Sequence, residues 1–174
     1  MNLRADARRN RARILTEAEA VFAADGLSAS TEEIARRAGV GAGTMFRHFP
    51  TKNALVEAVV MERLERLVAV ARTLEGDDAF FAYFADLVEN ARLNAALRDA
   101  LTGEMSPAMN EVKRQLDEVG RDLLLRAQAA DVVRGDVGPA DVRALINGCL
   151  AMERLAEGPP GRLTALISDA LRLR

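Results

Sequence analysis

Apolar residues recur every three or four positions through most of the chain, which is the spacing of one face of an α-helix. The interruptions are polar or rich in glycine and proline, and they fall at residues 76–78, 103–107, 134–139 and 158–161. No stretch sustains the period of two that indicates a half-buried strand. The pattern therefore predicts an all-α fold, with helices at about 5–24, 31–38, 44–48, 52–74, 78–101, 108–130, 140–156 and 162–173.

Two of these helices are short, and a glycine-rich turn joins them between Thr31 and Lys52. Ser30 can cap the first of them, because Glu33 follows at the spacing of a capping box. Gly39 stands where a helix commonly ends in a left-handed residue. Such a pair predicts a helix-turn-helix, whose second helix can enter the DNA major groove, although ordinary helical hairpins share the pattern.

Charge supports the DNA-binding interpretation of this segment. Basic and hydroxyl side chains that suit phosphate oxygens cluster here, namely Thr31, Arg36, Arg37, Thr44, Arg47, His48, Thr51 and Lys52. The net charge of the whole chain is only −2, which taken alone argues against a nucleic-acid partner. Residues 1–52, however, contain nine of the 24 basic and six of the 26 acidic residues, a balance of +3 that leaves −5 for the remainder. A basic head on an acidic body is expected when one end meets phosphate.

At these residues the sequence resembles the TetR family of one-component transcriptional repressors. The matching elements occur in order as Ile34-Ala35, Ala38-Gly39-Val40, Gly43-Thr44-Met45-Phe46, His48-Phe49 and Lys52. The resemblance implies a DNA-binding domain at 1–52, extended by a helix over 52–74, and an effector-binding and dimerisation domain at 75–174. It also implies a homodimer on an inverted-repeat operator in double-stranded DNA, and a regulator, most simply a repressor, that an unidentified small-molecule effector releases.

The resemblance places DNA contacts at Thr31, Ala42, Gly43, Thr44, Phe46, Arg47, His48 and Lys52. Arg47 is the predicted base-recognising residue, since a guanidinium can bind both acceptors of a guanine edge. Phe46 departs from the family, which usually has a tyrosine that donates to a phosphate; phenylalanine keeps a ring that can contact a thymine methyl group. Plainer roles are a helix cap for His48 and core positions for Val40, Met45 and Phe49.

Five arginines, at positions 4, 8, 9, 11 and 13, crowd the start of the first helix, where the helix dipole disfavours positive charge. Two explanations stay open: a solvated, frayed terminus, or side chains that approach the DNA backbone or an adjacent minor groove. Under either explanation, Phe22 and Leu27 are expected to pack beneath the helix-turn-helix.

The helix predicted over 52–74 begins after a capping Thr51 and contains no glycine or proline, so a movement of the body could displace the head. Four of the seven aromatic residues follow it within positions 80–84. They mark either the bulkiest part of the core or an apolar pocket of the kind that helical proteins use for ligands. The candidate pocket residues are Phe80, Phe84, Leu87, Met105, Met109, Val112, Leu116 and Asn147.

The last two predicted helices are apolar over more than one face, which indicates a second packing partner. Pairing with their copies in another chain would give a four-helix dimer interface, and burial within the monomer is the alternative. The candidate interface residues are Val142, Leu145, Ile146, Cys149, Leu163, Leu166, Ile167 and Leu171.

The remaining chemistry argues against an enzyme. The chain has one cysteine and one histidine, too few for a disulfide or the usual zinc site, so no metal and no cofactor is expected. The carboxylates form no acid–base constellation, and no dinucleotide-binding fingerprint follows a strand. Without a signal sequence or an apolar run of membrane-spanning length, a soluble cytoplasmic protein is expected, associated with the nucleoid when DNA-bound. The alternatives are an architectural DNA-binding protein without sequence preference and a small-molecule-binding helical module.

Overall fold

The structure, a computed structural model, describes residues 3–93, 106–153, 155 and 157–173. Within these residues it contains eight α-helices and no β-strand, which confirms the predicted all-α class. The helices are α1 (Leu3–Asp25), α2 (Thr31–Arg37), α3 (Ala42–His48), α4 (Lys52–Arg72), α5 (Ala79–Leu93), α6 (Pro107–Ala129), α7 (Pro139–Glu153) and α8 (Arg162–Leu171). No helix in this part of the chain combines the length and the apolarity that a membrane span requires.

The helices belong to two compact units, and the division between them falls inside α4. The first unit contains the described residues up to Arg63; the second contains Leu64–Leu93 and the described residues from Ser106 onward. Helix α4 itself is continuous, and Thr51 Oγ1 caps it by accepting a hydrogen bond of 3.0 Å from the Ala54 N–H. The helix predicted over 78–101 is present as α5; its remainder, with a predicted bend near Asn94, lies outside the described residues.

The core of the first unit forms where α1 and α4 cover the α2–α3 pair. Its buried side chains are Ile14, Leu15, Ala18, Val21 and Phe22 of α1, Ile34 and Ala35 of α2, Met45 of α3, and Leu55 and Val59 of α4, joined by Ala29, Ala38 and Phe49. Each fully buried valine, leucine, isoleucine, phenylalanine or methionine side chain contributes about 1.5–3 kcal/mol to stability. The apolar faces of two long helices therefore hold the two short helices in place.

Leu27 does not join this core, so its predicted packing beneath the helix-turn-helix is wrong. Its side chain is 40% exposed, whereas Phe22 is buried as expected. The reason is the short 3₁₀ turn Gly26–Ser28, which begins with Gly26 at a φ of +69°. Ala29, directly after this turn, takes the buried position instead.

In the second unit α5 packs against α6, α7 and α8. Phe80 and Phe84 are fully buried with ring centroids 6.3 Å apart, so this part of the aromatic cluster is core. Tyr83 is also buried, and its hydroxyl donates to the Leu116 carbonyl at 3.3 Å. Burial, assisted by the negative charge of Asp117, raises the pKa of Tyr83. A neutral tyrosine thus fixes α5 against α6.

Helices α7 and α8 are joined through the carboxylate of Glu153. It accepts hydrogen bonds of 3.0 Å from the Gly161 and Thr164 N–H groups and from the Thr164 hydroxyl. Partial burial alone would raise the pKa of Glu153, but these donors outweigh it and the pKa is lowered. The carboxylate therefore supplies the acceptors that the first turn of α8 lacks.

Candidate DNA-binding surface

Ser30 caps α2, the first helix of the helix-turn-helix, as predicted, but its side chain pairs with Glu32 and not with Glu33. Ser30 Oγ accepts from the Glu32 N–H at 3.2 Å and donates to Glu32 Oε2 at 2.7 Å. Glu33, the expected partner, instead accepts two hydrogen bonds of 2.8 and 2.6 Å from the Arg36 guanidinium. This bidentate pair lowers the pKa of Glu33. A charged partner one turn along α2 thus displaces the expected capping box.

The turn between the helices has the geometry of a Schellman motif. Gly39 adopts a φ of +63°, and its N–H donates to the Arg36 carbonyl at 3.1 Å. The Val40 N–H donates to the Ala35 carbonyl at 3.0 Å. A side chain at position 39 would strain this left-handed conformation. The glycine therefore ends α2 sharply and sets the direction from which α3 begins.

Helix α3 buries one side and exposes the other. Met45 is 2% exposed and lies in the core, as does Phe49 directly after the helix, in agreement with their plainer roles. Ala42, Gly43, Phe46 and Arg47 are exposed, with Phe46 at 55%, while Thr44 and His48 are partly exposed. Thr31 and Lys52, both partly exposed, are the first residues of α2 and α4. The predicted DNA-contacting residues are thus all accessible, and the two small ones leave the backbone of α3 uncovered.

The side chain of Arg47 lies along the surface of α3. Its Nε donates to the Gly43 carbonyl and its Nη2 to Thr44 Oγ1, both at 3.1 Å. No carboxylate among the described residues pairs with it. Because both bonds are to neutral surface groups, leaving them for a base edge costs little compared with breaking an ion pair.

The other arginines of the first unit divide according to their partners. Four of them bind carboxylates: Arg9 with Asp6, Arg36 with Glu33, Arg37 with Glu17 at 3.0 Å, and Arg63 with Glu19 at 2.6 Å. Arg36 and Arg37, part of the predicted phosphate-binding cluster, are therefore already neutralised. Arg8, Arg11 and Arg13 have no such partner in the described part of the chain, and sequence reasoning did not separate them from their neighbours.

The predicted pocket residues are only partly brought together. Two cavities of about 270 Å³ each lie in the second unit, one between α4, α5 and α6 and the other between α5, α6 and α7. Leu87 and Leu116 line both, and Asn147 lines the second. Phe80, Phe84, Met109 and Val112 are buried in the core and line neither cavity. Met105 lies outside the described residues.

The predicted dimer residues also divide into two groups. Val142, Ile146, Cys149 and Leu171 are buried within the single chain. Leu166 is 51% exposed, and Leu145, Leu163 and Ile167 are partly exposed. Met152 and Leu155, which lie in sequence between Leu145 and Leu163, are 39% and 85% exposed. In the single chain, the exposed apolar residues therefore include part of the predicted set and continue past the end of α7.

Two family profiles match the chain. Residues 14–59 match the family described as bacterial regulatory proteins, tetR family, and residues 75–173 match the C-terminal domain described as transcriptional regulator SbtR-like. The first match contains the helix-turn-helix, and the second contains every described helix from α5 to α8. The two matches therefore cover both parts of the chain.

Relatives agree with the profiles over nearly the full length. The chain is 35% identical to the HTH-type transcriptional regulator UidR of Escherichia coli strain K12, over 86% of this chain and 97% of that protein. It is 32% identical to the HTH-type transcriptional repressor Rv1474c of Mycobacterium tuberculosis, over 90% of this chain and 88% of that one. The crystal structure of a TetR transcription regulatory protein from Mycobacterium vanbaalenii shares 43% identity and a TM-score of 0.75, covering 98% and 99% of the two chains. With this fold, this helix-turn-helix and these matches, the chain belongs to the TetR family and is a DNA-binding transcriptional regulator.

Proposed function

We propose that the protein is a repressor that binds an inverted-repeat operator as a homodimer through α3 and leaves it when a small-molecule effector binds. The observation that carries the proposal is the outward side of α3, where Phe46 and Arg47 are exposed opposite the buried Met45. A helix anchored on one side and presented on the other suits insertion into a major groove. Repression is supported by the similarity to Rv1474c of M. tuberculosis, which is a transcriptional repressor by name.

Each exposed residue then has a role that fits its chemistry. Arg47, oriented by Thr44, binds a guanine edge, and the Phe46 ring contacts a thymine methyl group. His48, Thr31 and Lys52 contact phosphates, while Ala42 and Gly43 let the backbone of α3 approach the DNA closely.

Selection of bound sequences from random double-stranded DNA tests the recognition step. The wild type is expected to enrich an inverted repeat. Arg47→Ala should relax one base position in each half-site by about 1–3 kcal/mol. Arg121→Ala, at an exposed position of α6, serves as the control and should enrich the wild-type motif. Salt-dependent binding without any enriched motif would favour an architectural DNA-binding protein over a sequence-specific repressor.

For the effector we propose the cavity between α4, α5 and α6. Its walls are mainly apolar, with one carboxylate at Asp86, and four of its lining residues come from the end of α4 and the turn after it: Leu67, Val70, Ala71 and Leu74. Its volume of about 270 Å³ lies near the lower end of ordinary ligand sites, which indicates a small effector. Because α4 continues from this cavity into the DNA-binding unit, a ligand that shifts its end can lower operator affinity, typically by about 1–3 kcal/mol.

A substitution that fills this cavity tests its role. Ala82 lines it and is exposed, so Ala82→Phe should occupy the cavity without disturbing the core. The variant is expected to bind the operator normally and to ignore a compound that releases the wild type. Ala85→Phe, also exposed on α5 but outside the cavity lining, should keep the response. A full response in Ala82→Phe would place the effector elsewhere.

A further inference from the structure

We infer that Arg11 and Arg13 of α1 are phosphate contacts that clamp the DNA backbone beside the helix-turn-helix. The inference rests on the proposed DNA-binding function and adds two residues to it. Neither belongs to the matching motif elements, and both come from a helix that otherwise supplies core residues.

The first support is the distribution of ion pairs. On α1, Arg9 is paired with Asp6, while no carboxylate among the described residues pairs with Arg8, Arg11 or Arg13. Of these three, Arg11 and Arg13 are the ones that lie against the helix-turn-helix, beside Phe49 and Gly39. A guanidinium already bound to a carboxylate must break a charge-assisted hydrogen bond before it can bind a phosphate. Arg11 and Arg13 have no ion pair to break, and Arg13 donates only to the neutral amide of Asn10. Both side chains are exposed, so a phosphate can reach them.

The second support is the position of Arg11. Its Cζ atom lies 5.3 Å from the centroid of the Phe49 ring, and Phe49 directly follows α3 and is buried. A guanidinium stacked on an aromatic face is held by its plane, while the N–H donors at its edge stay available. Phe49 thus orients Arg11 next to the end of the recognition helix without using its hydrogen-bonding capacity.

The third support is the position of Arg13. Its Nη2 donates to Asn10 Oδ1 at 2.7 Å, and its Nη1 lies 3.7 Å from where a Cβ atom of residue 39 would stand. The guanidinium therefore lies beside the turn that precedes α3. Arg11 and Arg13 therefore contact the segments immediately after and before the recognition helix. Two preoriented cations in these places suit the phosphates along the groove that α3 would enter.

Salt dependence of DNA binding tests the inference directly. Each phosphate contact contributes about −0.9 to the slope of log K against log salt concentration. Because the proposed dimer contains two copies of each residue, we expect Arg11→Gln and Arg13→Gln each to reduce the magnitude of the slope by about 1.8, and the double variant by about 3.6. At about 0.1 M salt, each single variant then loses about 60-fold in affinity. The DNA is a duplex with the selected site, or a random duplex if no site is selected.

Arg9→Gln is the matched control, since it removes an equal charge from the same helix at a residue that is already paired. For Arg9→Gln, the slope of log K against log salt concentration should change by less than half as much as it does for Arg11→Gln or Arg13→Gln. Equal slopes for the wild type and both single variants would overturn the inference, as would an equal effect of Arg9→Gln. Thermal unfolding of every variant checks that the fold is intact.

Sequence preference separates this inference from the proposed function. The Arg11 and Arg13 variants should enrich the wild-type motif, because phosphate contacts carry no base information. A relaxed motif in either variant would show base recognition and contradict the phosphate assignment. The wild type could enrich no motif while the two substitutions still reduce the magnitude of the salt slope. That result would contradict the proposed operator recognition but would support the phosphate contacts of Arg11 and Arg13.

Discussion

Phe46 is the residue at which this chain differs from its family in a way that the structure makes testable. Its ring is 55% exposed on the outward side of α3, so it contributes little to the core of the free protein. The family's usual tyrosine would place a hydroxyl on the same ring. The difference between the two side chains is therefore one hydrogen-bond donor at the surface that we propose meets DNA.

Replacing Phe46 with tyrosine should strengthen DNA binding. A hydroxyl donating to a phosphate is expected to add about 1 kcal/mol at each half-site, which is about 2 kcal/mol or about 30-fold in affinity for a dimer on both half-sites. The salt slope should not change, since no charge is added. Fluorescence anisotropy over a range of salt concentrations measures both quantities. Unchanged affinity would mean that the ring at position 46 does not lie near a phosphate.

The sequence identified residues that can contact DNA, but it could not show which arginines are bound to carboxylates in the folded protein. The position of Arg47 on the recognition helix followed from the motif. The pairing of Arg37 with Glu17 did not, because the two residues are 20 positions apart and meet only when α1 packs on α2. The placement of Arg11 against Phe49 is likewise a tertiary contact. Spacing rules describe neighbours along one helix, so they cannot sort arginines by distant partners.

The close contact between α5 and α6 depends on a glycine within a helix. A Cβ atom at Gly120 would lie 2.6 Å from the Tyr83 hydroxyl oxygen and 2.8 Å from two carbon atoms of the ring. Gly148, in α7, has no atom within 4 Å of the corresponding position. The two glycines thus provide matched tests of packing and of helix propensity.

Gly120→Ala should destabilise the protein although alanine favours helix formation. Alanine improves propensity by about 0.8–1.0 kcal/mol, while overpacking costs about 1–3 kcal/mol. We expect a net loss of up to about 2 kcal/mol in the free energy of unfolding, measured with denaturant. Gly148→Ala should be neutral or stabilising by up to about 1 kcal/mol. A stabilised Gly120→Ala variant would show that Tyr83 moves away at little cost.

A second element-scale contact is the link from Glu153 to the start of α8. Since the pKa of Glu153 is lowered in the folded protein, its stabilisation is present above the unfolded value of 4.5 and is lost as the pH falls through the folded value. The cause is the set of donors from Gly161 and Thr164, which bind the ionised carboxylate. The α7–α8 pair should therefore loosen in acid.

Glu153→Gln is expected to lower the free energy of unfolding by about 1–2 kcal/mol at neutral pH, because an amide offers one acceptor where the carboxylate offers two. The difference in free energy of unfolding between the variant and the wild type should decrease as the pH falls below 4.5 and the carboxylate becomes protonated. Denaturant unfolding at several pH values measures this difference. Glu157→Gln, at an exposed position, should unfold with the same free energy as the wild type. A difference that stays constant with pH would mean that Glu153→Gln destabilises the protein through packing.

Element boundaries were the most predictable feature, because they depend on local chemistry. Helix α8 begins at Arg162, as predicted from the glycine and proline residues before it. Helix α7 begins at Pro139, one residue before the predicted start, since proline is tolerated in the first turn. The face that α7 turns inward could not be predicted. Apolar residues cover much of the helix, and only packing against α5 distinguishes the buried Cys149 from the less buried Leu145.

For the whole molecule, the proposed homodimer explains how the chain would recognise an inverted-repeat operator. A two-fold dimer offers two recognition helices to successive major grooves about 34 Å apart. Three exposed apolar residues of the second unit suit such an interface: Met152 in the last turn of α7, Leu155 after it and Leu166 on α8. Half of the residues that the sequence pattern suggested are buried in the single chain. We therefore place the proposed interface on these exposed residues, where a single buried charge should destabilise the dimer strongly.

Leu166→Glu should convert the dimer into a monomer. The side chain is 51% exposed in the single chain, so glutamate is tolerated by the fold but would be buried, uncompensated, between two copies. Leu125→Glu is the matched control, since Leu125 is 54% exposed on α6 and lies outside the proposed interface. Sedimentation velocity at micromolar concentration should show a monomer for Leu166→Glu and a dimer for Leu125→Glu and the wild type. The monomer should lose most of its affinity for the inverted repeat, because each half-site then binds independently. If Leu166→Glu stays dimeric while both variants remain folded, the interface lies elsewhere on the second unit.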